Sequence, residues 1–193
     1  CEHRSRGVQS DRFQRMTGVR VTDTRVETSQ VMTPNDANFL GKVFGGTILS
    51  LIDLVAYATA TRFAGNICVT ASFDKVDFLE PIEVGELVTM VGHVSYVGRT
   101  SVQVRIEVSA ENVYTRARRS TNIAWVTMVA VKDGKPVEVP RLICETREEK
   151  LRYLEGKMRK ERRAAFRAEL ERELVELETL SDPELDAVVV AAG

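Results

Sequence analysis

An α+β architecture, one buried helix wrapped by a long antiparallel sheet, is what this sequence predicts, and three observations carry the prediction. One nearly all-apolar helical segment lies at 47–63, four or five long strand-like stretches follow it with no helix between them, and dense Glu, Arg and Lys appear only after residue 144. Strands that come in a run, without alternating helices, pair antiparallel. A length of 193 residues suits one domain with an appendage. The organisation expected is a loose polar arm at 1–18, a core domain at 19–143, and a charged helix and tail at 144–193.

Each element has its own signal. Val19 to Met32 reads as a strand with a break near Asp23. Thr33-Pro34-Asn35-Asp36-Ala37-Asn38 is turn chemistry, because Pro fixes φ and Asn and Asp bond back to local backbone. The helix at 47–63 has almost no polar face, so it is expected to be buried, and at that length it is too short to span a bilayer. Gly65-Asn66 ends it. Val69, Ala71 and Phe73 alternate, and a phase shift to Val76 and Phe78 predicts a bulge. Val84 to Val97 is apolar on both sides, as a central strand is, and Gly98-Arg99 turns the chain. Val102, Val104, Ile106, Val108 and Ala110 alternate with polar residues, and Ile123, Trp125, Thr127, Val129 and Val131 repeat the pattern before a turn at Asp133-Gly134. From Glu145 to Glu178 a narrow apolar stripe at helical spacing runs through charged residues, weakened at Gly156. A surface helix laid over its own domain or a neighbour and a coiled coil both fit that stripe. Ser181-Asp182-Pro183 opens a small apolar tail.

Composition narrows the function. A net charge of -1 gives no bulk reason to expect nucleic acid or an anionic membrane as partner. No membrane span is expected, and the basic stretch Cys1-Glu2-His3-Arg4-Ser5-Arg6 leads into no apolar signal region. Cys1, Cys68 and Cys144 are far apart and odd in number, which fits a reducing cytoplasm. With His3 and His93 the only histidines, a metal site lacks ligands, and a Ser-His-Asp triad would need His93, placed in a central strand. No metal is expected. Nucleophile elbow, phosphate loop, His-Glu-x-x-His and Cys-x-x-Cys motifs are missing. Any chemistry must come from carboxylates, amides and backbone N–H groups.

Asp53 is the candidate. It is the only charged residue between Lys42 and Arg62, and a carboxylate in Leu-Ile-Asp-Leu-Val is costly unless it is hydrogen-bonded or faces a polar pocket. Its helical face carries Gly46, Leu49, Ser50, Ala56, Tyr57 and Ala60, mostly small, so a ligand or another backbone can approach. A structural Asp capping a neighbouring loop has the same sequence signal. Gly45-Gly46 opens the helix and leaves first-turn amides uncovered, an arrangement that attracts an oxyanion, although close helix–sheet packing also wants glycine. Gly46 and Asp53 are seven residues apart, two turns or ~10 Å along one face.

The stretch from Asn38 to Asp53 (Asn-Phe-Leu-Gly-Lys-Val-Phe-Gly-Gly-Thr-Ile-Leu-Ser-Leu-Ile-Asp) resembles the signature of hotdog-fold acyl-CoA thioesterases, the bacterial short single-domain and brain-type cytosolic hydrolases in particular. Asp74-x-Val-Asp-Phe78-x-x-Pro81-x-x-Val-Gly85-Glu86 and Val97-Gly98-Arg99-Thr100-Ser101 resemble two further segments in the right order, so the likeness covers about 25–141. The resemblance implies a sheet wrapped around the central helix, hydrolysis of acyl-CoA to CoA and a carboxylic acid, and cytoplasmic location. It implies two protomers joined edge to edge, as a dimer and further as a hexamer of three dimers, with each active site at the dimer interface. By position Asp53 of one protomer works with Asn38 of the other, Asp53 as general base on water and less readily as a nucleophile, with the Gly46 amide, beside Gly45, on the oxyanion. Arg99, Thr100 and Ser101 match the segment near CoA, and a plain hairpin turn with an exposed Arg reads the same way. Arg116, Arg118 and Arg119 can serve the CoA phosphates or form a solvated turn. No cofactor is implied, since CoA enters as part of the substrate. Rival readings are a thioesterase for acyl-carrier-protein or aryl-CoA substrates, and a non-catalytic acyl-CoA binder on the same fold.

Overall fold

A computed structural model describes residues 18–192, so the predicted arm at 1–18 lies, except for Gly18, outside the described residues. The chain divides into two compact units, one ending at Tyr153 and one beginning at Leu154.

In the first unit, β1 (Val19–Arg20) is followed by a 3-10 turn at Val21–Thr24 and by β2 (Val26–Val31), so the break near Asp23 is real. Helix α1 spans Gly45–Ala64, and β3 (Cys68–Phe78), β4 (Leu87–Val97), β5 (Ser101–Glu111) and β6 (Arg118–Lys132) follow as long strands. Two short strands, β7 (Lys135–Pro136) and β8 (Leu142–Ile143), close the unit. The main sheet has the order β2-β4-β5-β6-β3, with β7 on β6, and every pairing in it is antiparallel. β1 pairs with β8 in parallel.

α1 lies along one face of this sheet because the strands present their apolar alternates to it. Val88, Met90 and Val94 of β4, Val104, Ile106 and Val108 of β5, and Ala124, Val126 and Met128 of β6 are buried with Ile48, Ile52, Val55, Ala56, Ala60 and Phe63 of α1. Burying each Val, Ile or Phe contributes roughly 1.5–3 kcal/mol, so this layer dominates the stability of the unit. Gly92 of β4 sits directly under α1. A Cβ there would lie 2.6 Å from Thr59 Oγ1 and 2.8 Å from Val55 Cγ1.

Four expectations are corrected. α1 has 20 residues, long and apolar enough to cross a membrane by length and composition, so shortness does not exclude a span; its packing against the sheet accounts for its apolarity. It is not buried on all sides, since Leu54 and Tyr57 are exposed. On β6 the residues facing α1 are Ala124, Val126, Met128 and Ala130; the set containing Trp125 and Thr127 lies on the opposite face, because both faces of this strand are apolar. The apolar tail is a helix, α3 (Asp182–Ala192), and α2 (Arg147–Glu178) precedes it. Ser181 precedes α3, and its N–H and hydroxyl both donate to the Glu184 carboxylate, 2.8 and 2.6 Å, the Glu half of a Ser-x-x-Glu box, with Pro183 in the first turn.

Candidate active site

Asp53 projects from α1 toward β3, the edge strand. Its Oδ1 accepts a hydrogen bond of 2.5 Å from Thr70 Oγ1. Asp53 is half-buried, and among the described residues no hydrogen bond reaches its second carboxylate oxygen. Thr70 owes its place to an irregular strand. β3 shifts register against β6 between Thr70 and Ser72 and again between Phe73 and Lys75. Thr70 is therefore paired with Met128 on the α1 face, whereas Asp74 turns to the other face and accepts from Thr127 (2.6 Å), Gln103 (2.9 Å) and Ser72 (2.6 Å). The bulge expected between Phe73 and Val76 is present; the one before Ser72 was not foreseen. Thr70 was missed as a functional residue, because a threonine in a strand carries no signal of its own until its register is known.

The helix start is open. Phe44 is the N-cap and offers no side-chain cap, and the first amides to bond backward are those of Thr47 (3.0 Å) and Ile48 (3.4 Å), both to the Phe44 carbonyl. Among the described residues the N–H groups of Gly45 and Gly46 have no acceptor. A Cβ at Gly46 would lie 2.3 Å from the ring of the exposed Phe44, so any side chain there would have to displace that ring. These amides and Asp53 share α1 as a rigid ruler, two turns apart.

Asn38 sits in a tight loop that ends before α1. Its side-chain carbonyl accepts from the N–H of Leu40 (2.9 Å) and Lys42 (3.2 Å), and Gly41 takes φ +74 to close the loop. The loop carries Phe39 and Leu40 outward, 109% and 84% exposed. The Asn38 amide nitrogen keeps its donors unused among the described residues, and no hydrogen bond joins Asn38 to Asp53 within the protomer.

Arg99, Thr100 and Ser101 form the β4–β5 hairpin. Ser101 pairs with Val129, which pairs on its other side with Val69, next to Thr70. Two strand spacings, ~10 Å, thus separate this hairpin from the Asp53–Thr70 pair. The Arg99 side chain is 82% exposed and lies 3.9 Å from Glu138. Arg119, by contrast, is committed elsewhere: it holds Glu86 (2.6 and 2.8 Å), Glu80 (3.1 Å) and the Pro81 carbonyl (2.7 Å). Arg118 donates to Ser109. His93 is a half-buried strand residue whose pKa is lowered, first by burial and then by Arg25. Burial pushes the Cys68 thiol up to about 11, so it is inert as a nucleophile at neutral pH.

Comparison with known proteins agrees with this layout. Residues 40–117 match the family model described as the thioesterase superfamily. A Bacillus subtilis protein named as an uncharacterised acyl-CoA thioester hydrolase is 41% identical over 64% of this chain and 72% of its own. Among solved structures, a hexameric acyl-CoA thioesterase without ligand superposes with TM-score 0.75 at 39% identity, covering 78% of this chain and 97% of the other. The acyl-CoA hydrolase of Staphylococcus aureus, solved with butyryl-CoA and CoA, gives TM-score 0.73 at 34% identity, covering 83% and 99%. Structures of that enzyme exist with an asparagine, an aspartate or a threonine replaced by alanine, and the intervals between the three, 15 and 17 residues, equal those separating Asn38, Asp53 and Thr70 here. A sheet of this order with one helix along it, and identity of 34–41% over 72–99% of the length of these relatives, place the chain in the thioesterase superfamily, among the hotdog-fold acyl-CoA hydrolases.

Proposed function

We propose that this protein hydrolyses acyl-CoA to free CoA and a carboxylic acid, and that Asp53 is the general base. The observation that carries the reading is a single carboxylate, clamped on one oxygen by Thr70, two helical turns from the open amides of Gly45 and Gly46. A water held by the free oxygen of Asp53 gives up a proton to it as the water oxygen bonds to the thioester carbon. The carbonyl oxygen takes the negative charge and is met by the Gly46 amide at the positive end of α1. Collapse of this adduct breaks the C–S bond, and the proton on Asp53 goes to the departing CoA sulfur. Arg99, Thr100 and Ser101 are assigned to the CoA moiety, Arg99 to a phosphate. No other cofactor enters.

The unused donors of Asn38 are assigned to the thioester or water in a second protomer's site. This is supported by the lack of a hydrogen bond between Asn38 and Asp53 within one chain and by the exposed aromatic and aliphatic side chains of Phe39, Leu40, Phe73 and Phe78, which a partner protomer would cover. Edge-to-edge joining at β3 would cover an unpaired strand edge, and the hexameric relatives support three such dimers as the full assembly.

The test is a thiol-release assay over a series of acyl-CoA chain lengths with wild type and Asp53→Asn. The variant is expected to lose activity by on the order of 10²–10⁴-fold while keeping its melting temperature and sedimentation. Turnover within a few-fold of wild type would remove Asp53 from the mechanism, and absence of thiol release from wild type on every chain length would reject the activity.

A further inference from the structure

The chemistry proposed above uses no residue of the second unit, and α2, most of which belongs to that unit, is sharply polarised. From Lys157 to Arg167, α2 has six cations and one anion; from Glu169 to Glu178 it has five anions and one cation. The i,i+4 ion pairs Glu148–Arg152 (2.9 Å), Glu155–Arg159 (2.5 Å) and Lys157–Glu161 (3.8 Å) lie in the half before residue 162. The last turn is acidic and holds no basic residue, so it meets the negative end of the helix macrodipole with the wrong sign. Phe166, Leu170, Leu174 and Leu177, spaced four, four and three apart, share one face and are all exposed, from 37% to 65%. A helix of this kind is not held in place by its own propensity and needs a partner on that face.

We infer that α2 pairs antiparallel with α2 of a second copy of this chain. The charge order selects both occupant and direction. In a parallel in-register pair, cations would face cations and anions would face anions. Reversal about the level of Ala168, where the sign changes, sets each basic half against the acidic half of the other copy. The same reversal brings Phe166 to Leu170 of the second copy and lays the aliphatic stem of Arg159 on Leu177. The edges of the contact then match in charge: Arg162 with Glu173, and Lys160 with Glu178, across the pair. Such a contact is two-fold symmetric and closes on itself. It is independent of the hydrolase reading.

Disulfide trapping in the full chain tests it. Arg159→Cys and Leu177→Cys, prepared separately and mixed before mild oxidation, should cross-link to each other between copies, and neither should cross-link to itself, as read from linked peptides by mass spectrometry. Reversing Glu171, Glu173 and Glu178 to Lys should abolish the heterologous cross-link in 0.1 M salt, and reversing Lys160, Arg162 and Arg167 to Glu in the same chain should restore it. Self-cross-linking at either position would mean parallel pairing. No cross-link between copies would mean that another partner or none covers the face. A link indifferent to both charge reversals would remove the basis for the direction. Each of these three results overturns the inference.

Discussion

Thr70 is the residue on which the proposed use of Asp53 depends most directly. Its hydroxyl fixes one carboxylate oxygen and so aims the other. A hydrogen bond to a charged group contributes roughly 1.5–3 kcal/mol, so Thr70→Ala should lower kcat by about 10–100-fold with a much smaller change in KM, and Thr70→Ser should recover most of it. Equal kcat in Thr70→Ala and wild type would make the bond incidental. Arg119 illustrates the opposite case, a residue whose sequence context allowed a phosphate contact or a solvated turn and whose guanidinium is instead committed to Glu86, Glu80 and the Pro81 carbonyl. It pins the nearly buried carboxyl of Glu86, and that hydrogen bond holds the Glu86 pKa below the ordinary carboxylate range against the opposing effect of burial. A carboxyl whose pKa is depressed by folding stabilises the protein above its unfolded value, about 4.3, and that contribution disappears as pH falls through the folded value. Glu86→Gln should therefore melt lower than wild type at pH 7 and lose less on acidification from pH 5 to pH 3. Parallel acid limbs for the two proteins would show that the pair contributes nothing to acid stability.

At the scale of elements, the helix and the strand run were legible because their periods are strong, and the misreadings come where period is ambiguous. β6 is apolar on both faces, so alternation alone could not say which set met α1; the register with β5 decides it. α3 was not read from the sequence, because its short, apolar, alanine- and valine-rich body reads as a tail, although Ser181 and Glu184 stand at the Ser-x-x-Glu spacing of a helix start. Thr70 was invisible because a bulge one residue away sets its face. Asp53 stood out for the contrary reason, a charge that its apolar helix does not otherwise need; Gly45 and Gly46 had a packing explanation beside the functional one, and Asn38, which reads as turn chemistry, entered the site through the family resemblance alone. The closest fit between elements is at Gly92, which no pattern marks. Gly92→Ala should destabilise the protein by about 1–3 kcal/mol through overpacking against Thr59 and Val55. Among the described residues the buried Thr59 hydroxyl has no partner, so adding Thr59→Ala should restore part of the loss, a coupling that denaturant melts of the two single variants and the double variant would measure. Simple additivity would locate the strain elsewhere.

For the molecule as a whole, the decisive question is whether one protomer can hold a complete site. Asn38 and Asp53 lie at the two ends of the loop-plus-helix segment 38–53, and no hydrogen bond joins them within the protomer. If the site is shared, Asn38→Ala and Asp53→Asn are each inactive but carry complementary lesions. Random pairing after joint refolding makes about half of the dimers mixed, and each mixed dimer holds one site with both residues intact and one with neither. Roughly a quarter of wild-type sites should then return, provided the sites act independently. If both residues served the same protomer, every site in every pairing would keep one lesion, and mixing would return nothing. Native mass spectrometry establishes that mixed dimers have formed, and thiol release from acyl-CoA then reads the number of intact sites. Recovery near a quarter separates the shared site from the single-protomer site without any assumption about acyl-chain preference, because the same substrate serves both variants and the mixture.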